Sequence, residues 1–254
     1  MATQLKTRNH ISHTKISEFL RCPRKFHLHR RLRIPPAFTP AALVFGGAIH
    51  EALSVFHQAR LEGRETDLDE LMAAFDGRWN SEDRPIRFGS DEDAGRLREK
   101  ARGMIEVYLE DPPVAGLPLA VEESLNTCLR DDLPPLLGRI DLLERGEDGG
   151  VVLTDFKTAS SRRTKDPAQL VLYREALRIL DYPGAEDARL RYVVLLKTKE
   201  PAIDVQVPEL DGGELQKLIA LYRAAWHGIQ LGASHPVPGW WCSGCQWKHK
   251  CDQA

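Results

Sequence analysis

Hydrophobic residues recur with the period of an α-helix through the first 110 residues of the chain. The clearest stripe joins Ile49, Leu53 and Phe56, and Gly63 follows it as a suitable end of a helix. Helices are predicted at 45–63, 68–80 and 92–111. The N-terminal part of the chain is therefore expected to be mainly helical.

Shorter elements are expected before this stripe. Ile16 and Phe19 have helical spacing, and Pro23 suits the first turn of a second short helix. Residues 1–13 are predicted to be a loose leader and residues 34–40 a linker.

Apolar runs of strand length replace the helical period in the second half of the chain. Strands are predicted at 119–130, 136–144, 150–158 and 188–198. The acidic, glycine-rich segment 145–150 predicts a six-residue hairpin connection. A helix at 166–184 would begin with Asp166 and Pro167, and a last helix is predicted at 211–232. This order predicts an α/β fold with a helical N-terminal cap.

Composition and charge narrow the class of protein. The chain has 254 residues and a net charge of -2, so any anion-binding surface must be local. No apolar run is long enough to span a membrane, and residues 1–15 lack the apolar core of a signal peptide. We therefore expect a cytoplasmic protein that does not bind membranes.

Three charged residues interrupt the apolar strand patterns. Asp141 lies on the second predicted strand, and Asp155 and Lys157 lie on the third. Facing carboxylates on neighbouring strands repel each other unless a cation lies between them, and Mg²⁺ prefers oxygen ligands. Lys157 would share a strand face with Asp155, where it could orient a water or neutralise developing charge in metal-assisted phosphodiester hydrolysis. The alternative is an exposed hairpin with a salt bridge between Asp155 and Lys157.

Four short motifs, taken in order, resemble those of the PD-(D/E)XK nuclease superfamily. They are GGAIH at 46–50, GRID at 138–141, DFKT at 155–158 and QLVLY at 169–173. The closer resemblance is to the RecB-like branch, which has a QxxxY motif and a histidine on an early helix. It implies a restriction-endonuclease-like core, which is a mixed central sheet flanked by helices.

The resemblance also implies a role for each motif residue. The metal ligands would be His50, Asp141, Asp155 and the backbone carbonyl of Phe156. The catalytic residues would be Asp141, Asp155, Lys157, Gln169 and Tyr173. Gln169 and Tyr173 would contact DNA or brace the site. The implied activity is that of a Mg²⁺- or Mn²⁺-dependent deoxyribonuclease, with exonuclease action on single strands or DNA ends favoured.

The five cysteines are unevenly distributed. Their odd number, without a secretion signal, argues against a disulfide framework. Cys128 falls in a strand pattern and is predicted to be buried. Three others lie in the aperiodic tail with the spacing C-x2-C-x5-C, and Cys22 could supply a fourth thiolate for a metal.

These four cysteines resemble those of the iron–sulfur subset of RecB-like nucleases. That subset includes the CRISPR-associated RecB-like exonucleases and the AddB-type nuclease domains, and the CPRKF segment at 22–26 matches its N-terminal cysteine motif. The resemblance implies a 4Fe-4S cluster bound by Cys22, Cys242, Cys245 and Cys251. Zinc on the same four thiolates is the alternative.

The resemblance covers nearly the whole chain, so residues 1–254 are expected to form one nuclease domain. A helical part at 14–110, a nuclease core at 119–230 and a cluster-binding tail at 235–254 are expected within it. The expected partners are DNA and, in CRISPR adaptation or recombination and repair, an integrase or recombination protein. The rival hypotheses are a non-catalytic or complex-dependent processing partner and a zinc-stapled DNA-binding module.

Overall fold

The computed structural model describes residues 9–251 of the chain. The leader predicted for 1–13 lies largely outside this range. Inside it, Ile11 is fully buried, its amide donates to the carbonyl of Pro135 (2.9 Å) and its carbonyl accepts from the amide of Leu137 (2.8 Å). The prediction of a loose leader is therefore wrong at Ile11, because this residue forms a β-bridge with Leu136, at the start of a strand of the central sheet.

Helices make up most of the N-terminal half of the described chain. They are α1 (His13–Arg21), α2 (Pro23–Phe26) with a π-helical turn (His27–Arg31), α3 (Ala41–Leu61), α4 (Leu68–Asn80) and α5 (Ala94–Glu110). Three more follow in the C-terminal half, which are α6 (Ala168–Ile179), α7 (Glu214–Gln230) and α8 (Lys248–Cys251). The predicted helices are confirmed, and their ends differ by a few residues. No helix within 9–251 is long and apolar enough to cross a membrane.

Side-chain caps explain where several helices begin. The side chains of Ser12, Asp67 and Asp93 each accept a hydrogen bond from the backbone amide three residues later. Such bonds satisfy amides that have no partner inside the helix.

Strands form two sheets of different size. β1 (Thr39–Pro40) and β2 (Ile86–Arg87) pair in parallel as a small sheet. The larger sheet contains, in spatial order, β3 (Gly116–Thr127), β4 (Leu136–Gly146), β5 (Val151–Ala159), β6 (Arg189–Leu196) and β7 (Ala202–Gln206). Strands β3 to β5 are an antiparallel meander, β6 is parallel to β5, and β7 is antiparallel to β6. The predicted mixed central sheet flanked by helices is confirmed.

The larger sheet has an apolar core on each face. One core lies under α1, α6 and α7 and includes Ile16 and Leu172, whereas the other lies under α3, α4 and α5 and includes Phe75 and Met104. β5 is the middle strand, so both its faces are covered and its first six residues are all buried. This explains why its sequence is a nearly continuous apolar run instead of an alternating pattern.

Three predictions about connections and strands were wrong or incomplete. β4 continues to Gly146, whose amide donates to the carbonyl of Gly150 (2.8 Å), so the hairpin connection is shorter than the predicted six residues. The predicted linker at 34–40 ends in β1. β7 was not predicted, although Ile203 and Val205 alternate with polar residues as in a short strand.

Candidate active site

The charged residues of β4 and β5 meet where these two strands separate. The ladder between the strands ends at Leu142 and Thr154, and the next pair in register would be Asp141 and Asp155. The ladder does not continue there, because Oδ2 of Asp141 accepts a hydrogen bond from the amide of Phe156 (2.7 Å). The two carboxylates therefore lie together at the point of separation.

Asp155 is a buried carboxylate with an unusual environment. Its side chain is 3% exposed, and Oδ1 accepts a hydrogen bond from Nε2 of Gln169 (2.7 Å). Burial raises its pKa to about 6, the ammonium of Lys157 opposes this rise, and the charge of Asp141 adds to it. Oδ2 lies 2.5 Å from Nζ of Lys157 but has no partner with hydrogen-bond geometry among the described residues.

Gln169 braces both charged residues of β5. Its side-chain oxygen accepts from Nζ of Lys157 (3.3 Å), while its amide nitrogen donates to Asp155. Lys157 is one-third exposed and its Nζ lies 5.8 Å from the ring centroid of Tyr192. An exposed hairpin salt bridge does not describe this pair, because Asp155 is buried on the middle strand of the sheet.

α6 places Gln169 and Tyr173 one turn apart on the face that covers the sheet. Oδ1 of Asp166 accepts from the amide of Ala168 (2.9 Å) and helps to start this helix. Tyr173 is 6% exposed, and its ring lies against β4 at Gly138. Both residues of the QxxxY motif therefore brace the strands that carry the carboxylates.

His50 reaches the site from α3. Its Nδ1 lies 3.4 Å from Oδ2 of Asp141. Burial works to lower the pKa of His50, but the two nearby carboxylates outweigh it and raise this pKa above the ordinary value. Phe156 points to the same face of the sheet as α3, where His57 stacks on its ring with centroids 5.4 Å apart. The backbone of Phe156 is held beside Asp155 by the hydrogen bond from its amide to Asp141.

His13 on α1 is a further neighbour of the site that the sequence did not indicate. Its Nδ1 lies 3.2 Å from the hydroxyl of Tyr222 on α7. Burial lowers the pKa of His13, and the charge of Lys157 lowers it further. His13 and Tyr222 are 209 positions apart, so no local pattern could have paired them.

Four of the cysteines line a single cavity of about 800 Å³. They are Cys22, Cys242, Cys245 and Cys251. Apolar walls come from Leu28, Val237 and Trp241. Within 9–251, however, no group of three or more His, Cys, Asp or Glu residues is arranged so that it could hold a metal ion. The predicted ligands thus share one cavity without forming a ligand cluster.

The C-terminal tail is held against the N-terminal segment by contacts that need no cluster. The amide of Arg24 donates to the carbonyl of His235 (3.0 Å). Trp247 is 2% exposed, and its Nε1 donates to the carbonyl of Ile34 (2.7 Å). Trp240, in contrast, is 85% exposed at the rim of the cavity.

Cys128 differs from its prediction. It is exposed, because it follows the last residue of β3 and lies in the connection to β4. The prediction of a buried residue at this position is therefore wrong.

The amino-acid sequence matches the family model of the PD-(D/E)XK nuclease superfamily over residues 10–252. The chain belongs to the PD-(D/E)XK nuclease superfamily. Members of this superfamily generally use Mg²⁺ or Mn²⁺ and act on DNA. No curated protein matches the sequence.

Two solved structures resemble this PD-(D/E)XK nuclease. The crystal structure of a protein named "Putative exonuclease" from Eubacterium rectale aligns with a TM-score of 0.56 and 12% identity, over 90% of this chain and 83% of that chain. The structure of a protein named SSO0001 aligns with a TM-score of 0.41 and 15% identity, over 96% of this chain and 86% of that chain. The first likeness supports the fold, and the second is too distant to add to it.

The donors in this nuclease fit the chemistry of a hard divalent cation. Asp141 and Asp155 offer carboxylate oxygens, the ligands that such a cation prefers. His50 adds a ring nitrogen, and the carbonyl of Phe156 adds a fourth donor. In the structure the ammonium of Lys157 lies against Oδ2 of Asp155, and the donors are not gathered into a metal-holding group.

Proposed function

We propose that this PD-(D/E)XK nuclease is a metal-dependent deoxyribonuclease whose site lies where β4 and β5 separate. The observation that carries the proposal is Asp155, a buried carboxylate that lies beside Asp141 and against the ammonium of Lys157. Two carboxylates placed together in a buried site repel each other unless a cation lies between them. A divalent cation and the phosphate of a substrate are partners of the right charge for this group.

The proposed roles follow from the contacts of each side chain. His50, Asp141, Asp155 and the carbonyl of Phe156 would hold the cation, which supplies a Lewis acid and a more acidic bound water. Lys157 is partly exposed, so its ammonium can contact the phosphate, orient the attacking water and neutralise charge in the transition state.

Gln169 and Tyr173 are proposed as positioning residues. The amide of Gln169 holds Lys157 and Asp155 at once, so it limits the movement of both groups during the reaction. Tyr173 acts through α6, because its ring fixes how closely this helix approaches β4.

We further propose exonuclease action on single strands or DNA ends, and membership of the RecB-like branch. The QxxxY motif on α6 and His50 on α3 support the branch. The name of the Eubacterium rectale protein supports exonuclease action. An integrase or recombination partner stays a prediction from the resemblance.

A 4Fe-4S cluster bound by four cysteines is proposed for the cavity at the tail. The support is that Cys22, Cys242, Cys245 and Cys251 line one partly apolar cavity, and thiolates in such surroundings suit iron–sulfur clusters. The amide of Lys25 donates to the sulfur of Cys22 (3.5 Å) as the N-cap hydrogen bond of α2, which holds this cysteine at the wall of the cavity. The cluster would join the tail to the nuclease core within a single domain of residues 1–254.

Cleavage of end-labelled DNA tests the nuclease proposal. Initial rates on single and double strands would be measured with Mg²⁺, with Mn²⁺ and with excess EDTA. We expect cleavage with either metal and none with EDTA, and the ladder of labelled products gives the polarity. Cleavage that persists in EDTA would contradict the metal mechanism, and endonuclease products alone would contradict exonuclease action.

A further inference from the structure

A cavity of about 810 Å³ lies between α1, the π-helical turn and the end of α7. Its walls include Lys15, Arg30, Arg31, Arg33, Trp226 and Gln230. No Asp or Glu is among the described residues that line it. In a chain with a net charge of -2, four cationic side chains around one cavity make a local surface that attracts anions.

The positive charge of this basic cavity is only partly neutralised. Arg30 pairs with Glu18 at 2.8 Å. Arg31 donates to the backbone carbonyl of Ile229 (2.5 Å), which carries no net charge. Neither Arg31 nor Arg33 has a carboxylate within ion-pair distance in the part of the chain that the structure describes. The basic cavity therefore has an excess of positive charge that a bound anion would neutralise.

Lys15 is the buried cation of the basic cavity. Its Nζ donates to the backbone carbonyl of His10 (2.6 Å) and lies 5.7 Å from the ring centroid of Trp226. Burial lowers the pKa of Lys15, and the charges of Arg30 and Arg31 lower it further. Burying a cation among other cations is unfavourable, and a bound phosphate would reverse that cost.

Arg33 has a strained backbone, with φ of 55° in the left-handed region. This region favours glycine or asparagine, and other residues adopt it at a cost. Arg33 follows the C-cap residue of the π-helical turn, where a left-handed residue commonly ends a helix, and its guanidinium has no carboxylate partner among the described residues.

The basic cavity lies beside the proposed active site. On α7, Tyr222 contacts His13 and, one turn later, Trp226 lies beneath Lys15, about 6 Å further along the axis. Asn9 and His10 also line the basic cavity, and the next residue, Ile11, pairs with Leu137 on β4, four residues before Asp141. A DNA strand that extends from Asp141 along the start of β4 would therefore reach the basic cavity.

We propose that the basic cavity is a subsite for one nucleotide of a single strand, with its phosphate at Lys15 and Arg33 and its base against Trp226. Basic grooves combined with aromatic rings bind single strands without sequence preference. This inference rests on the proposed function, because the strand is the substrate of the nuclease. It adds a place where the strand is held away from the carboxylates.

Binding measurements without catalysis test the subsite. The full chain with Asp155→Asn is used in EDTA, so that no cleavage occurs. The probes are a fluorescein-labelled oligothymidylate of about 12 nucleotides, followed by anisotropy, and free thymidine monophosphate, followed by tryptophan fluorescence. The variants Arg33→Asn and Lys15→Gln are compared with Arg64→Asn, the loss of one exposed positive charge at a residue that does not line the basic cavity. Asparagine suits the left-handed backbone of residue 33, so Arg33→Asn should fold normally.

We expect each cavity variant to weaken oligonucleotide binding roughly tenfold. The slope of log Kd against log salt should fall by about 0.7 for each lost cation, and Arg64→Asn should change neither quantity. If the cavity variants also bind thymidine monophosphate more weakly, the subsite accepts a free nucleotide in addition to the DNA strand. Binding of both probes with unchanged affinity in both cavity variants would overturn the proposal.

The outcome also separates this inference from the nuclease proposal. If the wild type cleaves DNA but the cavity variants bind normally, the subsite is wrong and the nuclease stands. If the wild type never cleaves DNA but binds a probe that the cavity variants lose, the subsite stands and the nuclease proposal fails. If the Asp155→Asn protein without a cavity substitution binds neither probe, the proposed subsite is wrong.

Discussion

The ring of Tyr173 on α6 lies directly against the backbone of Gly138 on β4. A methyl group on Gly138 would lie 2.6 Å from Cε1 of this ring, which is closer than real contacts allow. The GRID and QxxxY motifs are therefore packed against each other. This close approach lets Gln169, one turn earlier on α6, reach the carboxylate of Asp155.

Gly138→Ala should therefore damage both stability and activity. The ring of Tyr173 is buried and cannot yield freely, so we expect a loss of about 1–3 kcal/mol in the free energy of unfolding from overpacking. Displacement of α6 would also loosen Gln169 and lower the cleavage rate. Denaturant unfolding and initial rates measure the two effects.

Gly77→Ala on α4 is the matched control for Gly138→Ala. A methyl group there meets nothing within 4 Å, and alanine in a helix interior should stabilise by about 0.5–1 kcal/mol. If Gly138→Ala behaved like Gly77→Ala, the close packing of Tyr173 on β4 would be refuted.

Lys157→Ala should abolish cleavage and leave the fold intact. The ammonium is the one basic group in hydrogen-bond reach of both Gln169 and Asp155 within the described residues, and losses of this kind are about 10²- to 10⁴-fold. Lys217→Ala, which removes an exposed lysine on α7, should cleave at the normal rate. Initial rates with Mn²⁺ on labelled single strands give the comparison, and a fully active Lys157→Ala enzyme would exclude the proposed role.

Asp155→Asn should stabilise the metal-free protein while it removes activity. Burial raises the pKa of Asp155 to about 6, so the folded state disfavours its charge at neutral pH. Removing that charge should raise the free energy of unfolding by about 1–3 kcal/mol. Thermal unfolding in EDTA at pH 7 measures this, and a clear fall in Tm would show that Asp155 has a stabilising structural role instead.

Glu144→Gln should be the most destabilising of these changes. This fully buried carboxylate accepts from Arg191 (2.7 Å), Arg60 (3.2 Å) and the amide of Ala115 (3.2 Å). Without its charge, two guanidinium groups lack their counter-ion, at a cost of about 3–5 kcal/mol. Glu147→Gln, in the exposed hairpin connection, should cost almost nothing, and equal stability of the two variants would contradict this view.

Cys245→Ala should remove the proposed cluster, and Cys128→Ala should not. Both substitutions remove one thiol, but only Cys245 lines the cavity shared with Cys22. After anaerobic purification we expect the visible iron–sulfur absorbance and the iron content to be lost in Cys245→Ala, together with a lower Tm. Full iron content in Cys245→Ala would contradict the four-cysteine assignment, and zinc in place of iron in the wild type would contradict the cluster.

The hydrophobic pattern predicted the elements that bury either one regular face or both faces. α4 has one apolar face, and β5 is buried on both faces, so each leaves a clear signal in the sequence. β7 has only five residues at the edge of the sheet, and half-exposed residues such as Val205 give a weak pattern. Short edge strands are defined mainly by the neighbour with which they pair, which no local pattern contains.

The candidate site was predictable only where it is local in sequence. Asp141, Asp155 and Lys157 are charged residues inside apolar runs, so the sequence alone marks them as candidate site residues. Nothing in the sequence singles out Lys15 or Trp226, because the charge of the basic cavity arises from segments that meet only in the fold. The burial of Asp155 was likewise hidden, since it depends on the position of β5 in the sheet.

The most direct test compares cleavage by the wild type, Asp155→Asn and Asp148→Asn under the same conditions. Asp148 is an exposed aspartate in the connection between β4 and β5, so its variant matches the chemical change away from the site. The account predicts Mn²⁺-dependent cleavage by the wild type and Asp148→Asn, with no cleavage by a folded Asp155→Asn. Equal cleavage by all three proteins would contradict a catalytic centre at Asp155.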